Sequence, residues 1–448
     1  MIAISALFEH PSQCLDFSLL RNTSAPEHVL NQNQQDALAW YARSISGIHS
    51  QIERGCADPY IALVSCVLFI CIETSQGRME EALELFRQGV SLILDLHMQI
   101  SLGQVSASKR IFLESTIIPQ FVRLGTMALA IAGVQASAVF ALAETRSRPT
   151  FPSIDCARSA ITVLSAEAML FNREASDYLK GVQGDSAVSP GMFERQEDLL
   201  TRLDHWREAY ISFCHSHDAE GSTPEKTESI LLAYYAASYI YVAGCLTRRE
   251  SIYNTYHKKF EMIVDQATLS LNALAGPKGV QPPFTFEMSI GLPLSLVALK
   301  CREPILRRKA LGLLRRAPPM QGFFKCTPMA LLIENLMMLE EGYTLALRGP
   351  SDLLGNGNIG DQSSAPVSTT EQQGAKVTSI PTSIPEEARI CFYGVFRPSN
   401  GLPPSIKEED FARYNCGPDQ LFLEIARNRY DGPSNTWYPV HEVLPLGG

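Results

Sequence analysis

Paired cysteines are what this sequence most plainly lacks. Eleven of them (Cys14, Cys56, Cys66, Cys71, Cys156, Cys214, Cys245, Cys301, Cys326, Cys391 and Cys416) stand singly, odd in number and never spaced C-x-x-C. That pattern is neither a disulfide framework nor a zinc site, and free buried thiols in a reducing compartment are expected. Positive charge is also scarce. With 38 Lys and Arg against 47 Asp and Glu, the net charge is −9, and this acidic field opposes counterion-release binding to phosphate backbones. Direct DNA binding is not expected. Met1 opens into IAISALFEH with no basic n-region and no small-residue cleavage site, so no secretory leader is read there.

Uninterrupted apolar runs are short. Tyr60 to Ile72 cannot cross a bilayer, and Leu124 to Ala143 carries Gln135 mid-run between Arg123 and Glu144. Both read as core helices and not as membrane spans. Catalytic signatures are missing too: the sequence holds no G-x-x-x-x-G-K-[ST], no G-x-S-x-G and no H-E-x-x-H. Its one G-x-G-x-x-G, at Gly355, Gly357 and Gly360, has no strand before it and no helix after it, and reads as chance. No catalytic, cofactor-binding or metal-ligating residue is assigned, and the chain is not expected to be an enzyme.

What is present is helix. From Gln34 to Arg54, the residues Leu38, Tyr41, Ile45, Ile48 and Ile52 share one face, and Gly55 stops the run. Asp58-Pro59 opens a nearly all-apolar helix to Gly77, expected to be central because it is apolar on every side. Arg78 to His97 should return antiparallel to it. Further helices are expected over Ser108 to Ala143 with a break at Pro119, Ser153 to Lys180, Met192 to Cys214, and onward from Thr223-Pro224.

The last of these carries Tyr234, Tyr235, Tyr239 and Tyr241, which suit buried packing better than a pocket wall. Cys214, His215 and His217, with Asp218 after them and His205 before, are the nearest approach to a metal cluster, but no fourth ligand is identifiable. Glu80, Glu81 and Glu84 read as a solvated helix start. Glu303-Pro304 begins a basic amphipathic helix. Arg308, Lys309, Arg315 and Arg316 project on one arc, and Leu306, Ala310, Leu313 and Leu314 on the other.

Gly349 to Ser383 is Ser, Thr, Gly, Gln, Asn and Pro with few bulky apolar residues, and is expected to be a disordered insertion. Beyond it, Ile390 to Phe396 is strand-like, and the tail holding Trp437 and Tyr438 is expected to pack back as an irregular segment. The expected architecture is therefore all-α: a large irregular multi-helix domain over residues 1–348, the insertion over 349–383, and a C-terminal segment over 384–448.

Four stretches carry a resemblance. IAISALFEH, the hairpin DPYIALVSCVLFICIETSQGRMEEALELFRQGVSLI, the run KCREPILRRKALGLLRRAPPMQGFF and the later IPEEARI occur in this order. Together they resemble the regulatory region of fungal zinc-cluster transcription factors. That resemblance implies a helical regulatory domain, a nuclear location and control of a metabolic or secondary-metabolite gene set. The six-cysteine DNA reader of such factors, whose helix enters the major groove, has no counterpart in this sequence. The chain is therefore expected to be a truncated regulator or to act through a partner: a full-length factor, a coregulator or a second copy of itself. The alternatives are a helical scaffold or small-molecule-sensing module, and a helical fold recruited as a biosynthetic enzyme near the tyrosines or Cys214 to His217.

Overall fold

The computed structural model describes residues 32–446, apart from 135–136, 143–149, 182–187, 218–224, 277–278, 287–288, 349–382, 415–416, 418 and 434. The insertion expected from Gly349 to Ser383 lies outside the described residues except for Ser383, and its glycine triplet lies outside them too.

Helices build the body, as the sequence leads one to expect. Helix α1 (Gln32–Glu53) uses less of its apolar stripe than predicted: Ala37 and Tyr41 are buried, whereas Ile45 and Ile52 are exposed. Helix α2 (Pro59–Ser75) begins as the Asp58-Pro59 pair dictates. Asp58 Oδ1 accepts from the Tyr60 amide at 2.8 Å, and Pro59 occupies a first-turn position where no N–H is needed. Gly77, with φ of 82°, reverses the chain into α3 (Met79–Ser101), giving the expected hairpin.

A short α4 (Ala107–Phe112) runs through a π-turn at Leu113–Ile117 into α5 (Ile118–Ala132). Pro119 therefore does not break the helix. The widened turn just before it accommodates the missing N–H and the ring. The break comes later, at Gly133. Its φ of 64° ends α5, with Gly133 N bonded to Leu129 O and Val134 N to Ala128 O. Ala107–Ala132 is the one helical run among the described residues with the length and composition of a membrane span. Its Leu113, Ile117, Phe121, Leu124 and Ala128 are seated in the core. The apolar run read from Leu124 to Ala143 is thus two elements, the second being α6 (Ser137–Leu142).

Then follow α7 (Ile154–Gly181), α8 (Pro190–His217), α9 (Glu225–Gly244), a 3-10 turn over Glu250–Tyr256, α10 (His257–Leu274), α11 (Gly291–Lys300), α12 (Pro304–Arg316) and α13 (Cys326–Arg348). The central helix is α9, not α2. In α2, Ile61 and Val64 face solvent, whereas α9 is enclosed by α7, α8, α10 and α11. Small residues permit that enclosure. Ala233, Ala236 and Ala237 are buried, and Ser238 Oγ meets Ser165 Oγ of α7 at 2.8 Å.

The tail departs from the irregular segment expected. Strands β4 (Ile390–Phe396), β5 (Phe422–Asp431) and β6 (Thr436–Pro445) form an antiparallel meander in that order, with the short helix α14 (Glu408–Ala412) between the first two. One cluster packs Leu423 and Ile425 with Leu332 and Leu336 of α13, and another joins Phe422 and Val443 to Ile406. A further small sheet pairs β1 (Phe284–Thr285), β2 (Met320–Gln321) and β3 (Phe324–Lys325). Buried Gln321 accepts there from the Gly291 amide at 3.0 Å, at the start of α11.

Candidate functional site

The basic helix α12 opens as predicted. Glu303 accepts from the Ile305 and Leu306 amides at 3.1 and 2.6 Å, and Ala310, Leu313 and Leu314 are buried. Its cations are already engaged. Arg308 pairs with Glu341 at 2.5 Å, Lys309 with Asp265 at 3.5 Å and Arg315 with Glu334 at 2.5 Å, while Arg316 donates to Asn272 at 3.4 Å. Acids on α10 and α13 therefore neutralise most of the arc that reads, in sequence, as an open basic surface.

Arg307, absent from that arc, has the opposite fate: it is 2% exposed and among the largest fully buried side chains. It anchors a buried ionic lattice. Arg307 Nη1 lies 2.6 Å from Glu340 Oε2, and its Nε donates to Ala298 O at 2.8 Å. Arg302 donates to Glu340 at 2.8 Å and to Glu250 at 3.0 Å, and Lys300 reaches Glu250 at 2.7 Å. The Ile390 amide closes on Glu340 Oε1 at 2.8 Å. Burial pushes the Glu340 carboxyl up, but the Arg302 and Arg307 guanidiniums outweigh it and hold the group below the ordinary carboxylate value.

The segment IPEEARI enters the same lattice. Glu386 accepts from the Glu250 and Ser251 amides, both at 2.7 Å, where the 3-10 turn begins, and from Asn428 at 3.0 Å. Arg389 donates to Ile384 O, Glu250 O and Asn254 Oδ1 at 2.9, 3.1 and 3.1 Å. Three buried carboxylates (Glu250, Glu340, Glu386) thus face three buried guanidiniums (Arg302, Arg307, Arg389). With the half-buried Lys300 the lattice sets four cations against three carboxylates, each carboxylate held by more than one donor, and its chemistry is that of a structural lock. Beside it, Arg427 lies 3.5 Å from the Tyr343 ring centroid and pairs with Glu442, which accepts from Tyr343 at 2.8 Å, so the sheet is tied to α13.

The Cys214 to His217 cluster lies only partly among the described residues. His215 is exposed at the end of α8, Cys214 is half-buried, the His217 side chain and Asp218 lie outside the described residues, and His205 is about 15 Å away along the helix by rise alone. Among the described residues no group of three or more His, Cys, Asp or Glu is placed to hold a metal ion.

The tyrosines of α9 divide between two faces. Tyr234 and Tyr235 are buried, Tyr239 and Tyr241 half-buried. Around the Tyr235–Tyr239 face the structure gathers residues that the sequence reading did not single out. Tyr235 donates to Asp204 of α8 at 2.7 Å and accepts from Lys259 of α10 at 3.2 Å. The Lys259 ammonium sits 3.7 Å from the Tyr239 ring centroid and 5.0 Å from that of Tyr235. Arg207 Cζ lies 5.9 Å from the Tyr235 ring centroid, and Tyr256 meets Tyr239 edge-on at 6.4 Å. Burial pulls the Lys259 ammonium below its ordinary value; Arg207 adds to that, and Asp204 opposes it. Burial, then the bond to Asp204, pushes the Tyr235 phenol well up. In this niche between α8, α9 and α10, polar groups and aromatic rings meet outside the lattice, with Tyr235 buried and Asp204, Arg207, Tyr239, Tyr256 and Lys259 half-buried.

Comparison with protein-family models, with curated proteins and with solved structures finds no match.

Proposed function

We propose that this chain is a transcription-regulator-like helical domain. It would control a metabolic or secondary-metabolite gene set from the nucleus, through a full-length factor or coregulator and without a DNA reader of its own. What supports the reading is that two stretches carrying the resemblance, Cys301 to Arg307 and Ile384 to Ile390, join in one buried lattice: Arg302 donates to Glu340 while Ile390 N donates to the same carboxylate. Charged residues that would otherwise be incidental matches of composition are thereby given one shared architectural purpose. The engaged cations of α12 agree with a domain that does not bind nucleic acid by itself, since their charge is spent on Glu341, Asp265 and Glu334.

The test is a tethering assay. Fused to a heterologous DNA-binding domain in a fungal reporter strain, the chain should change reporter output several-fold and co-purify with a zinc-cluster factor or coregulator. A stably expressed nuclear fusion that leaves output at the level of the DNA-binding domain alone, and that captures no such factor, removes the proposal.

A further inference from the structure

We propose that the niche formed by Arg207, Tyr235, Tyr239, Tyr256 and Lys259 is a binding site for an aromatic monocarboxylate. The inference stands apart from the transcriptional reading and rests on three observations.

The first is charge. Two cations, Arg207 and Lys259, converge on the Tyr235 ring, and one carboxylate, Asp204, stands with them. Asp204 is engaged by the Tyr235 hydroxyl, and Arg207 has no carboxylate partner among the described residues. The contrast with α12 is direct: there Arg308, Lys309 and Arg315 each meet an acid. A net surplus of one positive charge matches a monoanion. A dianion such as phosphate would leave excess charge against aromatic walls.

The second is burial. Arg207, Lys259, Tyr239 and Tyr256 are each half-buried, neither sealed in the core nor free in water. A partly desolvated cation pair favours an incoming counter-anion more than an exposed one does, and the depressed Lys259 value reflects that desolvation. A guanidinium fork beside an ammonium suits a carboxylate, whose two oxygens can accept from both groups.

The third is the wall. Tyr239 and Tyr256, both half-buried, meet edge to face, and the Tyr235 ring beneath them is buried against Trp206 and Tyr210 as part of the core. The half-buried pair rewards a planar apolar body attached to the charged group, because ring contacts add to area burial. An aliphatic acid of similar charge would forgo that contribution.

Binding of benzoate, 4-hydroxycinnamate and 2-naphthoate to the full chain is measured by calorimetry and by tryptophan fluorescence, with acetate and benzamide as controls. At least one aromatic acid should bind saturably and more tightly than either control. Arg207→Gln and Lys259→Gln should each weaken that binding about tenfold or more, as expected for loss of a charge-assisted hydrogen bond. Lys259→Arg should retain most of it, and Tyr239→Leu should weaken naphthoate more than benzoate. Thermal melts monitored by circular dichroism separate loss of binding from loss of fold. The proposal is overturned if none of the three acids saturates at millimolar concentration, if acetate or benzamide binds as well, or if the two Gln variants bind as tightly as the parent. Should a Gln variant melt early, Lys259→Arg and Tyr239→Leu decide in its place.

Discussion

Glu340→Gln isolates what the lattice contributes. Glutamine preserves the shape of the side chain and an acceptor for the Ile390 amide, now 2.8 Å from Oε1, so neither a cavity nor a lost strand contact enters the comparison. What disappears is the negative charge between Arg302 and Arg307, at a position 1% exposed. Arg302 keeps Glu250 at 3.0 Å, whereas Arg307 has no other carboxylate partner in the lattice. Removing one member of a buried ion pair costs about 3–5 kcal/mol, because the remaining charge stays desolvated. Urea unfolding followed by far-UV circular dichroism should show a loss of that size at pH 7, and hydrogen exchange should show faster opening at Ile390. Adding Arg307→Met restores the charge balance with a side chain of similar reach, and should recover about half of the loss. The pH dependence follows from the depressed Glu340 value. The unfolded carboxyl binds its proton near its ordinary value of about 4.3, before the folded one does, so the contribution is complete above that pH and fades as the pH falls through the lower folded value. The gap between parent and Glu340→Gln should therefore stay constant from neutral pH down to about 5 and narrow below about 4. A loss under about 1 kcal/mol at pH 7, the size of an exposed pair, would refute the reasoning.

Other perturbations test other parts of the structure. Gly89→Ala would place a methyl 2.4 Å from Phe121 Cε1 and 3.1 Å from Cys66 Sγ, so α3 and α5 must separate; a loss of about 1–3 kcal/mol in urea unfolding is expected. Lys309→Gln removes a 3.5 Å contact between side chains 49% and 68% exposed, and should change stability by no more than about 0.5 kcal/mol in the same assay. Among the nine described cysteines Cys56 is the exposed one, while burial pushes the Cys66, Cys71 and Cys245 thiols up to about 12. Peptide mapping after brief iodoacetamide treatment of the native chain should find Cys56 alkylated before the other eight, which label together once urea unfolds the protein.

Where the sequence proved readable and where it did not follows from the range of the forces involved. Asp58-Pro59, Gly77 and Glu303-Pro304 act on their own backbone within a few residues, and each does in the structure what local chemistry requires of it. The choice of central helix depends on neighbours. Apolarity on every side suggested α2, but close approach favours α9, whose Ala233, Ala236 and Ala237 leave room that the bulkier Ile61 and Val64 deny to α2. The second and third strands of the tail escaped because Glu424 and Asn428 interrupt the apolar pattern of β5. Both are buried, Glu424 beside His441 at 2.7 Å and Asn428 beside Glu386 at 3.0 Å, so their polarity is answered by residues remote in sequence.

Arg307 and Arg308 bring the same point down to one pair of neighbours. They share a residue type and adjoin on one helix, yet Arg308 meets Glu341 near the surface while Arg307 is enclosed with Glu340. A helical wheel places Arg307 with Leu311 and Leu314, at spacings of four and seven, on the buried face. The wheel thus gives its direction, but the tolerance of a guanidinium there is supplied by α13, more than thirty residues onward. The niche obeys the same rule with the opposite outcome. Tyr235 and Tyr239 stand out in sequence, but Asp204, Arg207 and Lys259 become chemistry when α8 and α10 close on α9. Each guanidinium must therefore be judged by its counter-charge. Arg307 has Glu340 and serves the fold, whereas Arg207 has an aromatic face and no described acid, which is what makes it a candidate for binding an anion.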